Sequence, residues 1–526
     1  MKFSFKNISL IGAGMAALWG MSACTQDFEE INTNPNQILV GQQSPYGMFE
    51  KLLYDGATNR CYDTWYYNGD IVQYTVATST NIRIDTYTDL NNKYFERVWN
   101  LFCNHGANAV HMYDLAEKDH DEACKAVALT LKVMNMEEVT AMFGDIPYRE
   151  AFQARKNGNV MPVFDSQKEV YEQMFAELEQ ANEIYAKSPV FKQVAMDGMY
   201  AGDMNKWRRF NNSLYLRLLC RVSGRDAEMD GTVSAKLKEI VGDSYKYPLI
   251  TGNSQNATVK YSGITPYVNY FYNYTFDSFT SRYMSEEMVE LMDGGDPRIR
   301  AYFYSATGSC VGAISGALPT LDVQPSGISK LCAPLLCSST FPITFMDYAE
   351  VQMILAEMAL KGLIDGGDSA AKAYFEAGVR ASCERWGELL AGATGWDGKT
   401  FTKVLDITTA DIDKFLTTPR GSWDLADNKA ELIGKQKYLL LFYNGYQAFY
   451  EIQRTGYPEL TIGRGTGSNN YQFPMRMGYP MSTMATNPHH AAEAIERQGW
   501  NGKNDMHGHM WYSAKAISGV SYEPQN

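Results

Sequence analysis

The sequence predicts a mainly all-α protein, built from tetratricopeptide-like helical hairpins and interrupted by long irregular, loop-rich insertions. Apolar residues recur at helical spacing along most of the chain, capping and stop residues bracket those runs, and several runs come in pairs joined by short links. "DSQKEVYEQMFAELEQANEIYAK" opens with Ser166 and Glu169 at capping-box spacing and carries Val170, Met174, Leu178 and Ala181 as one apolar stripe. "GDMNKWRRFNNSLYLRLLCRVSG" starts at a capping Asp203, places Trp207, Phe210, Leu214 and Leu218 on one face, and stops at Gly224. Similar patterns predict helices over 91–117, 121–143, 345–360, 369–386 and 429–454. The segment "YAEVQMILAEMALKG" turns through "LIDGGD" into "SAAKAYFEAGVRAS". Ala356, Ala373, Ala377 and Ala381 supply the small contact residues of such a hairpin, without a regular repeat period.

Composition sets the class. The 526 residues are 45% hydrophobic and 20% charged, enough for a large core. The net charge is −13, and removing an N-terminal leader with Lys2 and Lys6 takes it to −15, which excludes nucleic acid and an anionic lipid surface as partners. The cysteines are too scattered for a disulfide framework. Cys103, Cys124, Cys220 and Cys383 fall in helical patterns and read as small hydrophobes, whereas Cys310, Cys332 and Cys337 lie close enough in one loop region to pair.

Residues 1–23 read as a signal peptide: Lys2 and Lys6, an apolar stretch from Ile8 to Trp19, then small Ser22 and Ala23. The stretch is too short to span a bilayer of about 30 Å. Cys24 follows the small residues directly, an arrangement that resembles the bacterial lipobox with Met21 in place of the usual leucine. Cys24 is therefore expected to be the acylated first residue of the mature chain, anchored by several acyl chains. Residues 24–43 have no apolar periodicity and are expected to form a flexible tether; 44–526 is read as one domain.

Two regions, 245–283 and 301–345, are rich in Gly, Ser, Pro and Tyr and are expected to be irregular. The first holds "YSGITPYVNYFYNYTFDSF", crowding Tyr267, Tyr270, Tyr272 and Tyr274. An earlier segment, "CYDTWYYNGDIVQY", brings Tyr62, Trp65, Tyr66, Tyr67 and Tyr74 onto another expected loop. Rings at helical spacing, such as Trp99, Trp207 and Trp386, read as core. Rings in loops offer rigid contact area with a polar tip, suited to stacking on a flat ligand face. The candidate ligand-binding residues are thus Trp65, Tyr66, Tyr67, Tyr267, Tyr270 and Tyr272, with Asn68 and Asn269 as polar partners.

Catalytic signals are thin. A carboxylate pair for glycoside hydrolysis would be recognised only by its separation in the fold, and no local spacing nominates one. "SAAK" (369–372) matches S-x-x-K formally but lacks its companion motifs, and "GRGTGS" (463–468) reads as a mobile glycine loop without the lysine of a phosphate-binding loop. His489, His490, His507 and His509 could ligate a metal, yet no cysteine pair or H-E-x-x-H accompanies them, so neither metal nor other cofactor is assigned.

"FGDIPYREA" (143–151), "PVFDSQKEVYEQMFAELEQA" (162–181), "YAGDMNKWRRFNNSLYLRLLCRVS" (200–223), "DGGDPRI" (293–299), "AEVQMILAEMALKG" (349–362), "GKQKYLLLFYNGYQAFYEIQRTGYPEL" (434–460) and "FPMRMGYP" (473–480) follow one another in an order that resembles the SusD/RagB family of outer-membrane nutrient-binding lipoproteins, more closely its SusD-like second branch. The tail "CTQDFEEINTNPN" also resembles that family. One departure is Met481 and Ser482, where many members carry a glutamate.

The resemblance implies a SusD-like fold whose helical side packs, as a lid, on a SusC-like TonB-dependent β-barrel transporter in a two-plus-two assembly, while the other side captures nutrient. It implies outer-leaflet exposure too, with Asp27, Glu29 and Glu30 resembling a surface-export signal. The motif residues themselves read mostly as scaffold: Gly144, Asp145 and Pro147 at a helix end, Asp296, Pro297 and Arg298 at a turn, and Gly456 with Pro458 at another helix stop. The ligand is expected to be an oligosaccharide. An oligopeptide, or a lid whose ligand contacts are made by the barrel, stays open as an alternative, and a hydrolase is disfavoured.

Overall fold

The computed structural model describes residues 43–77, 83–274, 276–292, 294–304, 309–393 and 406–513. The expected leader, Cys24 and residues 25–42 of the expected tether lie outside the described residues. Helix accounts for 56% and strand for 5%, so the chain is mainly α as expected.

The principal helices are α1 (Pro45–Asp63), α2 (Asn92–Lys118), α3 (Glu122–Phe143), α4 (Gln167–Tyr185), α5 (Met204–Val222), α6 (Thr232–Gly242), α7 (Tyr348–Leu360), α8 (Gly367–Ala391), α9 (Lys429–Leu440), α10 (Gln447–Thr455) and α11 (Pro488–Arg497). Their starts follow side-chain chemistry. Ser166 and Glu169 form the expected capping box, and Asp203 accepts from the Asn205 and Lys206 amides. Asp121, Asp347 and Asn428 cap α3, α7 and α9 in the same way. The pairs α2/α3 and α7/α8 form the close hairpins; at Gly378 of α8 a Cβ would lie 2.9 Å from Met353 Cε, so the small residue sets the approach of α8 to α7.

Short strands brace the loop-rich regions, an element not anticipated from the sequence. β1 (Thr75–Ala77), β3 (Arg282–Met284), β5 (Lys330–Leu331) and β4 (Phe303–Tyr304) form an antiparallel sheet in the order β1-β3-β5-β4, and β2 (Ala257–Val259) pairs with β6 (Ile343–Met346). Phe345 and Met346, expected to begin a helix, therefore belong to a strand.

Two further expectations are corrected. The helix expected over 429–454 is broken: α9 ends at Leu440 and α10 begins at Gln447, because Tyr443 and Gly445 take φ of 66° and 57°. Gly445 also lies against Arg60, where a Cβ would sit 2.9 Å from Cγ. The second correction concerns 62–74, expected as a loop. α1 instead continues through a π-turn over Thr64–Asn68 into a helical turn at Gly69–Ile71. The polar residues of this segment, Asp63, Thr64, Asn68 and Asp70, are buried. Asn68 Nδ2 donates to Gly445 O at 2.6 Å, and Thr75 Oγ1 donates to Asp70 Oδ1 at 2.7 Å.

The glycine segment 463–468 is not a free loop. It forms a 3₁₀ turn over Arg464–Asn469, with Gly465 N donating to Gly316 O at 2.7 Å. A Cβ on Gly463 would run into the carbonyl oxygens of Ser315 and Gly316. Gly463→Ala is expected to cost about 1–3 kcal/mol by forcing the two segments apart, read as a lower urea midpoint.

The core is continuous, with Trp207 and Trp386 fully buried and Trp99 partly buried against it. Cys61, Cys103, Cys124, Cys220, Cys332, Cys337 and Cys383 are free thiols, so Cys332 and Cys337 do not pair; Cys124, Cys220, Cys332, Cys337 and Cys383 are buried and Cys310 is half-buried. The motif residues serve as scaffold. Gly144 (φ 85°) and Gly456 (φ 77°) stop α3 and α10, Asp145 Oδ1 accepts from the Gln167 amide at 2.8 Å, and Arg298 donates to Asp296.

Inside this core runs a network of charged residues drawn from α1, α3, α5, α7, α9 and α10. Arg217 forks onto Glu350 through Nε and Nη2 at 2.6 and 2.7 Å, Arg221 pairs with Glu137, and Arg60 donates to Glu138 at 2.7 Å. Glu357 of α7 accepts from Arg454 at 2.7 and 2.6 Å and from Lys437 at 3.2 Å; Glu451 accepts from the same two cations. Burial by itself would raise both carboxyls. The facing Arg454 and Lys437 overturn that, holding Glu451 at about 2 and Glu357 well below the usual range.

Candidate ligand-binding surface

The end of α1 and the turn at 270–273 meet in a tyrosine-rich surface. Tyr62 and Tyr66, one helical turn apart, stack with centroids 5.4 Å apart and planes at 12°. Tyr67 stands edge-on to both, and Tyr270 meets Tyr62 edge-on at 5.5 Å. Arg97 of α2 lies over Tyr62 with Cζ 4.9 Å from the ring centre, and Arg282 of β3 lies 4.9 Å from Trp65 and 5.4 Å from Tyr66. Each arginine is fixed by a buried carboxylate: Arg97 by Asp63, and Arg282 by Asp70 at 3.2 Å. Burial pushes Asp63 up to about 6 and Asp70 up to about 7, with the arginines pulling against it. Burial likewise pushes Tyr67 up to about 12, so its ring is a neutral phenol at neutral pH.

The turn is pinned from below. Asn269 is fully buried; its Oδ1 accepts from Phe271 N at 2.9 Å, its Nδ2 donates to Phe341 O at 3.1 Å, and its own amide donates to Ser339 O at 2.9 Å. Phe271, also fully buried, packs on Trp65 and Phe279 at 5.3 and 5.0 Å. With these anchors inward, Tyr270 is left 38% exposed, and the half-buried Tyr272 makes no ring or side-chain hydrogen-bond contact among the described residues. Asn269→Ala is expected to cost about 1–3 kcal/mol, leaving the Phe341 carbonyl and Phe271 amide unpaired, and to loosen Tyr270 and Tyr272 with it. Thermal unfolding combined with ligand titration would check both effects.

The structure thus brings Tyr66, Tyr67 and Tyr270 together, with Tyr272 on the same turn as Tyr270. Trp65 is 8% exposed and donates Nε1 to Phe279 O at 3.0 Å, so it supports the rings from beneath. Asn68 and Asn269 point inward, each donating its Nδ2 to a backbone carbonyl. Tyr267 belongs to a second cluster, where its hydroxyl donates to Glu50 and its ring lies 4.9 Å from Tyr54. Tyr54 and Tyr62 are eight residues apart on α1, placing the two clusters about 12 Å apart along the helix. Arg97 was not foreseen, since an arginine in a helical pattern reads as a solvated face; Tyr62 and Tyr274 sat in the crowded runs without being singled out.

A different concavity, of about 210 Å³, lies between α2, α3 and the segment 147–164, lined by Trp99, Met136, Pro147, Phe152, Phe164 and Val160. Its lining is mainly apolar, with Thr483, Thr486 and Asn487 as its polar members, and offers few hydrogen-bond partners to a polyhydroxylated ligand.

The comparisons with known proteins agree with this architecture. Residues 35–480 match the SusD-like family model described as starch-binding associating with outer membrane, and the chain belongs to that family. A SusD homologue from Bacteroides fragilis NCTC 9343 is similar at 25% identity and a TM-score of 0.73, over 89% of this chain and 100% of that one. A chitin-binding SusD homologue from Flavobacterium johnsoniae is similar at 22% identity and a TM-score of 0.69, over 90% and 99% of the two chains. A SusD-like protein from Bacteroides thetaiotaomicron VPI-5482 is similar at 23% identity and a TM-score of 0.69, over the same shares. No curated protein sequence matches the chain. No described helix is long and apolar enough to cross a membrane.

Proposed function

We propose that this protein is a surface nutrient-binding lipoprotein that captures oligosaccharide on the tyrosine surface of α1 and the 270–273 turn. On this reading Cys24 carries the lipid anchor in the outer membrane, facing the cell exterior, and the chain serves as lid for a SusC-like TonB-dependent transporter. Family membership supports the setting, and the chitin-binding of a structural neighbour supports a glycan as ligand. The observation that carries the site is Tyr270, exposed on a turn whose Asn269 and Phe271 are locked inside, with the half-buried Tyr272 beside it. Rings held this way bind sugar faces at little entropic cost.

Binding without cleavage is the accompanying reading. Asp63 and Asp70, the carboxylates beneath the rings, are buried and held by Arg97 and Arg282, which leaves them unsuited to act as an acid and base pair on a glycosidic bond. The test is a thermal-shift screen against matched panels of oligosaccharides and oligopeptides. A ligand selective for the native state at 100 times its Kd adds about 2.7 kcal/mol. Stabilisation by glycans alone is the expected result; stabilisation by peptides alone, or by neither panel, would overturn this reading.

A further inference from the structure

The geometry points to a surface site for a divalent transition-metal ion on the first turns of α11, formed by His489, His490 and Glu493. His489 and Glu493 are four residues apart and His490 and Glu493 three apart, so all three side chains share one helix face. Glu493 Oε2 lies 3.3 Å from His489 Nδ1 and 2.9 Å from His490 Nδ1, and the ligating atoms of the three all fall within 4.8 Å of one another. A tetrahedral ion with bonds of about 2.0–2.2 Å needs ligand atoms roughly 3.3–3.5 Å apart, which small rotamer adjustments of exposed side chains supply. Among the described residues this is the one His/Cys/Asp/Glu group so arranged, and His507 and His509 are not part of it.

A second observation concerns what does not neutralise Glu493. Arg497 stands four residues further on the same helix, where it would ordinarily pair with this carboxylate. Its guanidinium is committed elsewhere, donating to Asp145 Oδ2 and Phe164 O at 2.7 and 2.8 Å. Glu493 accordingly has no lysine or arginine partner among the described residues and sits between the two imidazoles. The start of a helix disfavours a cation, but at this exposed position the effect is screened, and the uncompensated Glu493 charge opposes it.

Two imidazoles and one carboxylate select zinc or copper over calcium, which prefers six or more oxygens. Three protein ligands leave at least one position open, as in sites that exchange their metal or accept a further donor. With Asn487, just before α11, donating to Pro162 O at 2.7 Å, bound metal would tie the first turn of this helix near the rim of the apolar concavity.

Isothermal titration of the purified full chain with Zn²⁺, Cu²⁺ and Ca²⁺ at pH 7.5 tests this. The expected result is one equivalent of Zn²⁺ or Cu²⁺ bound and no Ca²⁺ heat, with binding weakened at least roughly tenfold by His489→Ala or Glu493→Gln. Electron paramagnetic resonance of the Cu²⁺ form should show coupling to two imidazole nitrogens, lost in the double variant His489→Ala/His490→Ala. His489 is mostly exposed, so circular dichroism of the variants should match the parent. Equal metal uptake by parent and double variant, or no uptake by the parent, would overturn the assignment.

Discussion

Replacing Glu357 by alanine is expected to destabilise the protein by about 3–5 kcal/mol, because it strands buried cations and leaves nothing in their place. Arg454 and Lys437 would then share Glu451 alone, in surroundings where neither reaches water. The exposed pair Lys435–Glu431, at 2.6 Å on the surface of α9, provides the contrast. Glu431→Ala should change stability by no more than about 1 kcal/mol. Urea unfolding of the two variants side by side measures the difference, and equal losses would mean that the buried network is no more than surface decoration. The same network sets an acid limit. Glu357 and Glu451 have folded-state values held below their ordinary value of 4.5, so their contribution is complete above that value. It is lost as pH falls from there toward about 2, and unfolding followed between pH 7 and pH 3 should show stability declining in the lower part of that window.

The second large effect is on binding. With each stacking ring worth about 0.5–1.5 kcal/mol, the double variant Tyr270→Ala/Tyr272→Ala should weaken oligosaccharide binding by roughly 5- to 150-fold. The stability loss should be smaller than for a buried aromatic, since Tyr270 is 38% exposed and Tyr272 half-buried while Phe271 and Asn269 hold the turn. Trp65→Ala should behave in the opposite sense. Its ring is buried against Phe271 and Phe279, so truncation is expected to cost about 3–5 kcal/mol of stability and to perturb binding through Tyr66. Calorimetric titration with unfolding measured on the same samples separates the two. Unchanged affinity in the tyrosine double variant would remove this surface from consideration.

The helices were legible because their signals are local. Ser166, Asp203 and Gly144 cap or stop helices where their side chains or backbone freedom require. The break between α9 and α10 was not legible, because "LLFYNGYQ" keeps its apolar spacing across it. Gly445 leaves the helix to meet Arg60 and Thr64 of α1 and its π-turn, partners almost 400 residues away in sequence. The tyrosine runs signalled a ring-rich surface, but Trp65, Asn68 and Asn269 could not be told apart from their outward neighbours. Whether such a residue faces ligand or core depends on contacts with Phe279, Gly445 and Phe341, all distant in sequence. The charged network was hidden for a related reason: Glu357 sits within the apolar run "MILAEMAL", and a lone acid there reads as a helix's wet face until its cations arrive from α9 and α10.

α1 carries one ring of each tyrosine cluster, Tyr54 and Tyr62, on one helix seated in the core by Phe49, Leu52 and Leu53. The spacing between Tyr54 and Tyr62 therefore cannot adapt to the ligand. A short sugar engages one cluster at a time, whereas a chain long enough to reach the other converts its second contact into an intramolecular event at high effective concentration. On the proposed reading, selection at this surface is by ligand length: the helix acts as a ruler, favouring polymer fragments over monosaccharides.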